Sequence, residues 1–197
     1  MQIIAGLYKN RHVQVPKGLK TRPTSSRLRE ALFNICQGCH EEARFLDLFA
    51  GSGAMGLEAL SRGAKRVTFV DNSKESIRCI HANVEALGVE KHVQVVYGEV
   101  FEVLLKLAKK GATFDIIYAD PPYDLQHQTE TETISFSGRV LQLIDANIGL
   151  LDLAGDLFLE DAVDAIPEEG MLQHLVLKSS RRMGRSVLQH YVRKPLT

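Results

Sequence analysis

The spacing of hydrophobic positions changes near residue 44 and divides the chain into a short first part and a long second part. In the first part, Met1–Ala5 and Arg11–Val15 are two β-like runs, with Gly6 and Asn10 near the turn between them. Runs of this kind joined by turn residues predict a β-hairpin.

A helix is predicted after the hairpin. Apolar residues recur there at the i, i+3, i+4, i+7 spacing of one helix face, at Leu28, Ala31, Leu32 and Ile35. Thr24 or Ser25 can cap the start of this helix, and Gly38 marks its end. Arg27 and Arg29 lie off the apolar stripe, so their side chains are expected to face solvent.

From residue 44 onward, short apolar runs alternate with segments of helical spacing. A polar stretch without periodicity, residues 124–138, predicts a loop. The predicted helices are Ala54–Arg62, a helix from an Asn72 cap to Gly88, Val100–Lys110 and Arg139–Asn147. The predicted strands are Arg44–Phe49, Arg66–Val70, Val93–Tyr97, Phe114–Ala119, Leu157–Glu160, Leu172–Ser179 and Val187–Arg193.

Alternating strands and helices predict an α/β fold, in which a doubly wound, mostly parallel seven-stranded sheet carries helices on both faces. The last two predicted strands have no helix between them, so we expect an antiparallel strand at the edge of the sheet. The expected architecture is Rossmann-like, with an N-terminal β-hairpin and helix added. We divide the chain into a basic extension, residues 1–38, and a main domain, residues 39–197.

Composition indicates an ordinary globular protein, with 45% hydrophobic and 24% charged residues. No run of about 18 apolar residues predicts a membrane span, and no secretory signal is visible, so a cytoplasmic location is expected. Cys36 and Cys39 form a C-x-x-C pair, as redox and zinc sites do. No second pair completes a metal site, so reduced thiols are favoured and no metal is expected.

Net charge is zero, but basic and acidic residues are separated along the chain. Residues 1–29 hold seven Lys or Arg and residues 178–197 hold six, and neither segment contains an acid. The other 148 residues hold 11 basic and 24 acidic side chains. Solvated termini would also give this pattern, but so complete a separation favours a polyanion-binding surface formed by both ends.

The first strand of the main domain is followed by a glycine loop, residues 51–56, with the pattern G-x-G-x-x-G. Asp71 lies twenty residues after Gly51, where an acid holds a ribose in dinucleotide-binding proteins. Both features suit NAD and S-adenosylmethionine alike. Asp47 favours S-adenosylmethionine, because an acid suits an ammonium or sulfonium better than a pyrophosphate, unless it only caps a turn. Gly56 is interpreted as a helix-packing residue.

The fourth strand of the main domain is followed by Asp120-Pro121-Pro122-Tyr123, a turn stiffened by two prolines at the edge of the sheet where ligands bind. Asp120 and the Pro121 carbonyl can each accept one hydrogen of a planar exocyclic amine, and Tyr123 can stack on its ring. This arrangement indicates methyl transfer to an amino group, with most of the rate supplied by positioning and fixed electrostatics.

These motifs resemble those of amino-group methyltransferases that use S-adenosylmethionine. More narrowly, IIAGLYKNRHVQVPKGLKTRPTSSRLREALFNI and FLDLFAGSGAMGLEALSRGA resemble the bacterial small-subunit rRNA guanine-N2 methyltransferases, the RsmD family. The resemblance implies methylation of one guanine N2 in 16S rRNA. It implies catalytic roles for Asp120, Pro121, Pro122 and Tyr123, the last of which is Phe in many members.

The resemblance also implies which residues surround S-adenosylmethionine. Glu99 stands where the family usually has Asp, and it is one methylene longer. The implied cofactor-binding residues are Asp47, Phe49, Gly51, Gly53, Asp71, Asn72, Glu99, Val100 and Asp120.

The basic segments become candidate contacts with rRNA phosphates, whose binding depends on salt. The candidates are Lys17, Lys20, Arg22, Arg27, Arg29, Arg181 and Arg182. The expected partner is small-subunit rRNA or the assembling small subunit. The protein itself is expected to be a monomer, and no membrane partner is expected. A DNA adenine-N6 or cytosine-N4 methyltransferase remains the alternative. An NAD-dependent oxidoreductase is disfavoured because no motif suggests the acid or base that hydride transfer needs. A non-catalytic RNA-binding module is disfavoured by the intact Asp120–Tyr123 turn.

Overall fold

The computed structural model describes residues 1–16, 25–36, 41–122, 126–128, 133–163 and 172–195. Its strands are β1 Arg44–Leu48, β2 Arg66–Asp71, β3 Val93–Tyr97, β4 Phe114–Ala119, β5 Gln126–Gln128, β6 Thr133–Ser135, β7 Leu151–Ala162, β8 Leu175–Met183 and β9 Ser186–Arg193. Seven of these strands form one sheet in the order β3-β2-β1-β4-β7-β9-β8, while β5 pairs with β6 alone.

Five α-helices lie within the described residues: α1 Ser26–Ile35, α2 Ala54–Ser61, α3 Lys74–Leu87, α4 Val100–Lys109 and α5 Phe136–Ala146. Buried residues of α1, α2 and α3 share one apolar layer with the N-terminal segment. Those of α4 and α5 belong to a second apolar layer. Helices on both faces confirm the predicted doubly wound sheet.

The strands β3, β2, β1, β4 and β7 pair in parallel, which confirms the mostly parallel sheet. The strand β9 runs antiparallel to its neighbours β7 and β8, so the predicted antiparallel element occurs at this end. Gly184, with a φ of 75°, supplies the left-handed backbone that the tight turn between β8 and β9 requires. The strand order reverses between β1 and β4, and such a reversal creates a crevice where ligands bind.

The predicted N-terminal hairpin is shorter than expected. Backbone hydrogen bonds join residues 1–3 to residues 10–13, around one β-bridge between Gln2 and His12. The backbone N–H groups of Ile4 and Ala5 instead donate to the carboxylate of Glu58 on α2, at 2.9 and 3.1 Å. The cross-strand pairing therefore ends at Ile3, and a side chain of another element satisfies the next two N–H groups.

Arg29 is buried, so the prediction that it faces solvent was wrong. Its Nη1 lies 3.1 Å from Glu58 Oε2 and also donates to the Gln2 carbonyl. Arg62 binds the other oxygen of Glu58 at 2.9 Å. The physical reason is the Glu58 carboxylate, which is fully buried and needs cationic partners. Arg27, two residues before Arg29, is exposed as predicted.

Helix ends follow local capping groups. Ser25 caps α1 as predicted, because its hydroxyl oxygen accepts a hydrogen bond from the Leu28 N–H. The predicted Asn72 cap of α3 was wrong by one residue, because the hydroxyl of Ser73 accepts from the Ser76 N–H. Gly88 ends α3 with a φ of 69°, as predicted.

Several predicted boundaries in the second half of the chain were wrong. The predicted loop, residues 124–138, contains β5, β6 and the start of α5. The strand β7 is longer than predicted, because it pairs with β4 on one side and β9 on the other. The strand β8 starts at Leu175 rather than Leu172, because the N–H groups of residues 173–175 donate to the carboxylate of Asp145 on α5.

Candidate active site

The carboxyl ends of β2, β1 and β4 lie side by side, because these parallel strands are neighbours in the sheet. The loop after β1 turns through left-handed residues, Gly51 with a φ of 55° and Gly53 with a φ of 76°. Gly53 is the N-cap of α2 and offers no side chain to cap it. The loop therefore brings the N-terminus of a helix to the ligand-binding edge of the sheet.

Asp47 lies at the end of β1 and is buried. Its carboxylate accepts a 2.9 Å hydrogen bond from the Gly56 N–H in the first turn of α2. This is the capping role that the sequence allowed as an alternative to a cofactor contact. Burial raises the pKa of Asp47 well above its usual range, and the negative charges of Asp120 and Asp71 add to this shift. Three acids therefore converge at this edge.

Gly56 packs α2 against the sheet, which confirms its interpretation as a packing residue. A Cβ atom at this position would come within 2.4 Å of the Phe69 ring and 2.6 Å of Val67 on β2. Real Cβ atoms do not approach other heavy atoms so closely. Only glycine therefore lets α2 begin this close to β2.

Asp71 is buried at the end of β2. One of its carboxylate oxygens accepts from the Gly51 N–H and the other from the Ser73 N–H, both at 2.8 Å. A carboxylate has about four acceptor sites, so these bonds leave capacity for ribose hydroxyls. Beside it, Asn72 Nδ2 donates to Glu99 Oε1 at 2.8 Å. This contact brings together two predicted cofactor-binding residues from the ends of β2 and β3.

Three aromatic rings, from the loop after β1 and the first turns of α4 and α5, lie against one another: Phe49, Phe101 and Phe136, with centroids 5.0 to 6.4 Å apart. All three are half-buried. Phe49 has a φ of 57°, which is uncommon for a residue with a side chain. Val100 is the first residue of α4 and is buried, so its backbone rather than its side chain is available at this edge.

Asp120 and Pro121 follow β4 directly. Asp120 is half-buried, and its N–H lies 3.5 Å from the Leu48 carbonyl of β1. Pro121 is buried and Pro122 is exposed, while Tyr123 lies outside the described residues. Asp120 is therefore held beside the strand that leads into the glycine loop.

Tyr118 and Glu160 form a buried pair that the sequence did not single out. The Tyr118 hydroxyl donates to Glu160 Oε2 at 2.9 Å. Burial raises the pKa of Tyr118, and the charges of Asp120 and Glu160 raise it further, so the phenol keeps its proton. The available signal was an acid at the end of an otherwise apolar strand, LFLE at residues 157–160.

The predicted RNA-binding residues fall into three groups by their position in the structure. Three are exposed: Arg27, Arg181 and Arg182. Three lie outside the described residues: Lys17, Lys20 and Arg22. Arg29 is buried in an ion pair with Glu58, so its side chain is not available to contact a phosphate.

No group of three or more His, Cys, Asp or Glu that could hold a metal ion occurs in the described part of the chain. Cys36 is buried at the end of α1, and Cys39 lies outside that part. Among the same residues, no helix is both long enough and apolar enough to cross a membrane.

The glycine loop after β1, the acids at the ends of β1 and β2 and after β4, and the order of the strands define an α/β protein with the methyltransferase fold. A family described as "Conserved hypothetical protein 95" matches residues 1–189. The chain belongs to this family, and it is an RsmD-like methyltransferase.

Two relatives and one solved structure illustrate the similarity. "Putative rRNA methyltransferase YlbH" of Bacillus subtilis is 34% identical over 80% of this chain and 89% of its own length. "Ribosomal RNA small subunit methyltransferase D" of Haemophilus influenzae is 36% identical over 62% of this chain and 64% of its own length. The structure "Putative methyltransferase yhhF from Escherichia coli" superposes with a TM-score of 0.79 at 29% identity, covering 98% of each chain.

Proposed function

We propose that this protein transfers a methyl group from S-adenosylmethionine to the exocyclic N2 of one guanine in small-subunit rRNA. The observation that carries the proposal is the position of Asp120 and Pro121 after β4, beside the strand that leads into the glycine loop. Acceptors for an amine and a loop for an adenosine-containing ligand are thus neighbours. The name of the Haemophilus relative supports small-subunit rRNA as the substrate.

The charge of the loop fits a cationic methyl donor. Asp47, Asp71 and Asp120 are close enough that the latter two raise the pKa of the first. A pyrophosphate would be repelled by the carboxylates of Asp71 and Asp120, whereas a sulfonium or ammonium would be attracted. Asp71, Asn72 and Glu99 offer acceptors for the ribose, with the Phe49–Phe101 rings beside them for the adenine.

The chemistry assigned to Asp120 and Pro121 is the orientation of a weakly nucleophilic amine. When bound, S-adenosylmethionine supplies a methyl group on a positively charged sulfur. Asp120 and the Pro121 carbonyl each accept one amine hydrogen, which turns the nitrogen lone pair out of the ring plane. A nitrogen–carbon bond forms as the sulfur–carbon bond breaks, and Asp120 accepts the proton that nitrogen releases. Tyr123 stacks on the base after it leaves its helix.

RNA contact is assigned to the exposed basic residues of both chain ends. Arg27 precedes the buried part of α1, and Arg181 and Arg182 lie near the end of β8. These residues bind phosphates, which supply affinity without reading sequence. The enzyme is proposed to act as a monomer in the cytoplasm, where small subunits are assembled.

A methyl-transfer assay with radiolabelled S-adenosylmethionine tests the function. Unmethylated 16S rRNA, small subunits and double-stranded DNA serve as substrates, and the labelled nucleotide is then mapped. Label on one guanine N2 of the rRNA is expected. Label on adenine or cytosine amines of DNA, or tight NAD binding by calorimetry without binding of S-adenosylmethionine, would contradict the proposal.

Asp120→Ala tests the amine-acceptor role. Turnover is expected to fall by a factor on the order of 100 or more, because the lone pair is no longer oriented. Affinity for S-adenosylhomocysteine, measured by calorimetry, should change little. Near-normal turnover in this variant would remove Asp120 from the reaction.

A further inference from the structure

We propose that Glu160 reads the target base as guanine, by accepting a hydrogen bond from its N1–H. This inference rests on the proposed function, since it concerns the same base at the same sheet edge. It adds a discriminating residue that lies forty positions after the amine-binding turn.

Glu160 lies beside Asp120 in space. The strands β4 and β7 pair in parallel, with Tyr118 opposite Phe158 and Ala119 opposite Leu159. Asp120 follows β4 directly and Glu160 is the next position of β7, and neighbouring strands are about 4.8 Å apart. Side chains alternate along a strand, so Asp120 shares a face with Tyr118, whose hydroxyl touches Glu160. The two carboxylates therefore lie on the same face of the sheet.

Glu160 has fewer hydrogen-bond partners than two other buried acids, Glu58 and Asp145. Glu58 receives two backbone N–H groups and two arginines. Asp145 receives three backbone N–H groups. Within the described residues, Glu160 receives the Tyr118 hydroxyl and forms no ion pair. It is only 8% exposed. A buried carboxylate with one donor is costly, so a ligand that donates to it would be favoured.

Guanine carries a donor that the Glu160 carboxylate could accept. Guanine presents N1–H and the N2 amine as adjacent donors on its Watson–Crick edge. Asp120 and the Pro121 carbonyl are assigned to the amine, which leaves N1–H for a second acceptor beside them. Adenine has a lone pair at N1, which would face the Glu160 carboxylate and be repelled. The turn after β4 binds any exocyclic amine, so Glu160 supplies the discrimination that the turn lacks.

An RNA substrate with one altered base distinguishes the contribution of N1–H from that of the 2-amino group. In the small-subunit rRNA, 2,6-diaminopurine replaces the target guanine, so the 2-amino group remains while N1 becomes an acceptor. Wild-type enzyme is expected to methylate this RNA with a kcat/KM about 10- to 100-fold below that for guanine, because the Glu160 carboxylate and N1 would then be two acceptors facing each other. Equal kcat/KM values for the two RNAs would overturn the inference without any variant.

Glu160→Gln then tests the residue. The Gln amide can donate to N1 of diaminopurine, so the preference for guanine should shrink by at least about 10-fold. Tyr118→Phe is the matched control, because it removes the partner of Glu160 and leaves the carboxylate in place. This control should retain the preference for guanine.

The outcomes distinguish this inference from the proposed function. An active wild type whose preference for guanine is unchanged by Glu160→Gln overturns the role of Glu160 alone. Equal losses of preference in Glu160→Gln and Tyr118→Phe also overturn it, because the pair would then act only through packing. A wild type that methylates neither RNA at N2 refutes the proposed function, and the inference with it.

Discussion

Arg27 and Arg29 show that neighbouring residues of one type can have opposite roles. Both lie off the apolar stripe of α1, and sequence spacing assigns both to solvent. Arg27 is exposed, whereas Arg29 is 2% exposed and bound to Glu58. The difference comes from a single buried acid on α2, which lies 29 residues further along the chain. Arg29 therefore contributes to folding rather than to RNA binding.

Arg29→Met should lower the free energy of unfolding by about 3 kcal/mol, because it leaves part of a buried ion pair without its partner. Denaturant titration monitored by circular dichroism measures this value. Arg27→Met is the control, and its unfolding free energy should lie within about 0.5 kcal/mol of wild type. If instead Arg29→Met is as stable as the control and weakens RNA binding, then Arg29 contacts phosphate after all.

The elements around the glycine loop are tied together by side chains from neighbouring helices and strands. Asp47 of β1 holds the first turn of α2. Asn83 of α3 is buried and donates to the Ser52 carbonyl in the loop at 3.0 Å. The same side chain accepts from the Gln14 N–H at 2.8 Å and donates to the Gln14 carbonyl at 3.0 Å. Asn83 thus joins the N-terminal segment to the cofactor loop.

Asn83→Ala should weaken S-adenosylhomocysteine binding by about 10-fold, because the Ser52 carbonyl loses its donor and the loop is held less firmly. Isothermal titration calorimetry measures the affinity. Glu85→Ala, an exposed position two residues further along α3, should bind as wild type does. Equal affinities in the two variants would show that the loop keeps its shape without Asn83.

In the folded protein, fewer basic residues are available to a polyanion than the charge separation along the sequence suggests. Both ends of the chain are basic, but their residues are not all available to a polyanion. Arg193 donates to the carbonyls of Leu151 and Ile148, and Lys194 donates to the Leu172 carbonyl. These two cations fasten the last strand to the sheet. Among the described basic residues near the C-terminus, Lys178, Arg181, Arg182 and Arg185 are exposed, and Lys194 is exposed too although its ammonium group donates to the Leu172 carbonyl.

Replacing Arg181 and Arg182 by Gln should flatten the salt dependence of RNA binding. Each lost phosphate contact lowers the slope of log K against log salt concentration by about 0.7 to 0.9, so a change of about 1.5 is expected. Filter binding over a range of potassium chloride concentrations measures the slope. Lys109→Gln with Lys110→Gln removes the same charge at the end of α4 and should leave the slope unchanged. Identical slopes in both double variants would assign RNA contact elsewhere.

Local patterns in the sequence determined most of the helices and strands, and they determined which classes of ligand and reaction the site motifs suit. The strands at Phe114–Ala119 and Val93–Tyr97 were predicted with their observed bounds, because each is a short run of β-forming residues between turn residues. Three features of the site were found because each directly follows a predicted strand: the glycine loop, Asp71 and the Asp120-Pro121 turn. Such features depend only on neighbours in the chain.

Tertiary structure decided every feature that needs a partner from a distant segment. The burial of Arg29, the shortened N-terminal pairing and the start of β8 each depend on an acid from another helix, Glu58 or Asp145. The Tyr118–Glu160 pair forms only when β4 and β7 become neighbours, and it spans 42 residues of sequence. A buried carboxylate requires donors wherever the fold can supply them, and periodicity along the chain carries no information about which residues those will be.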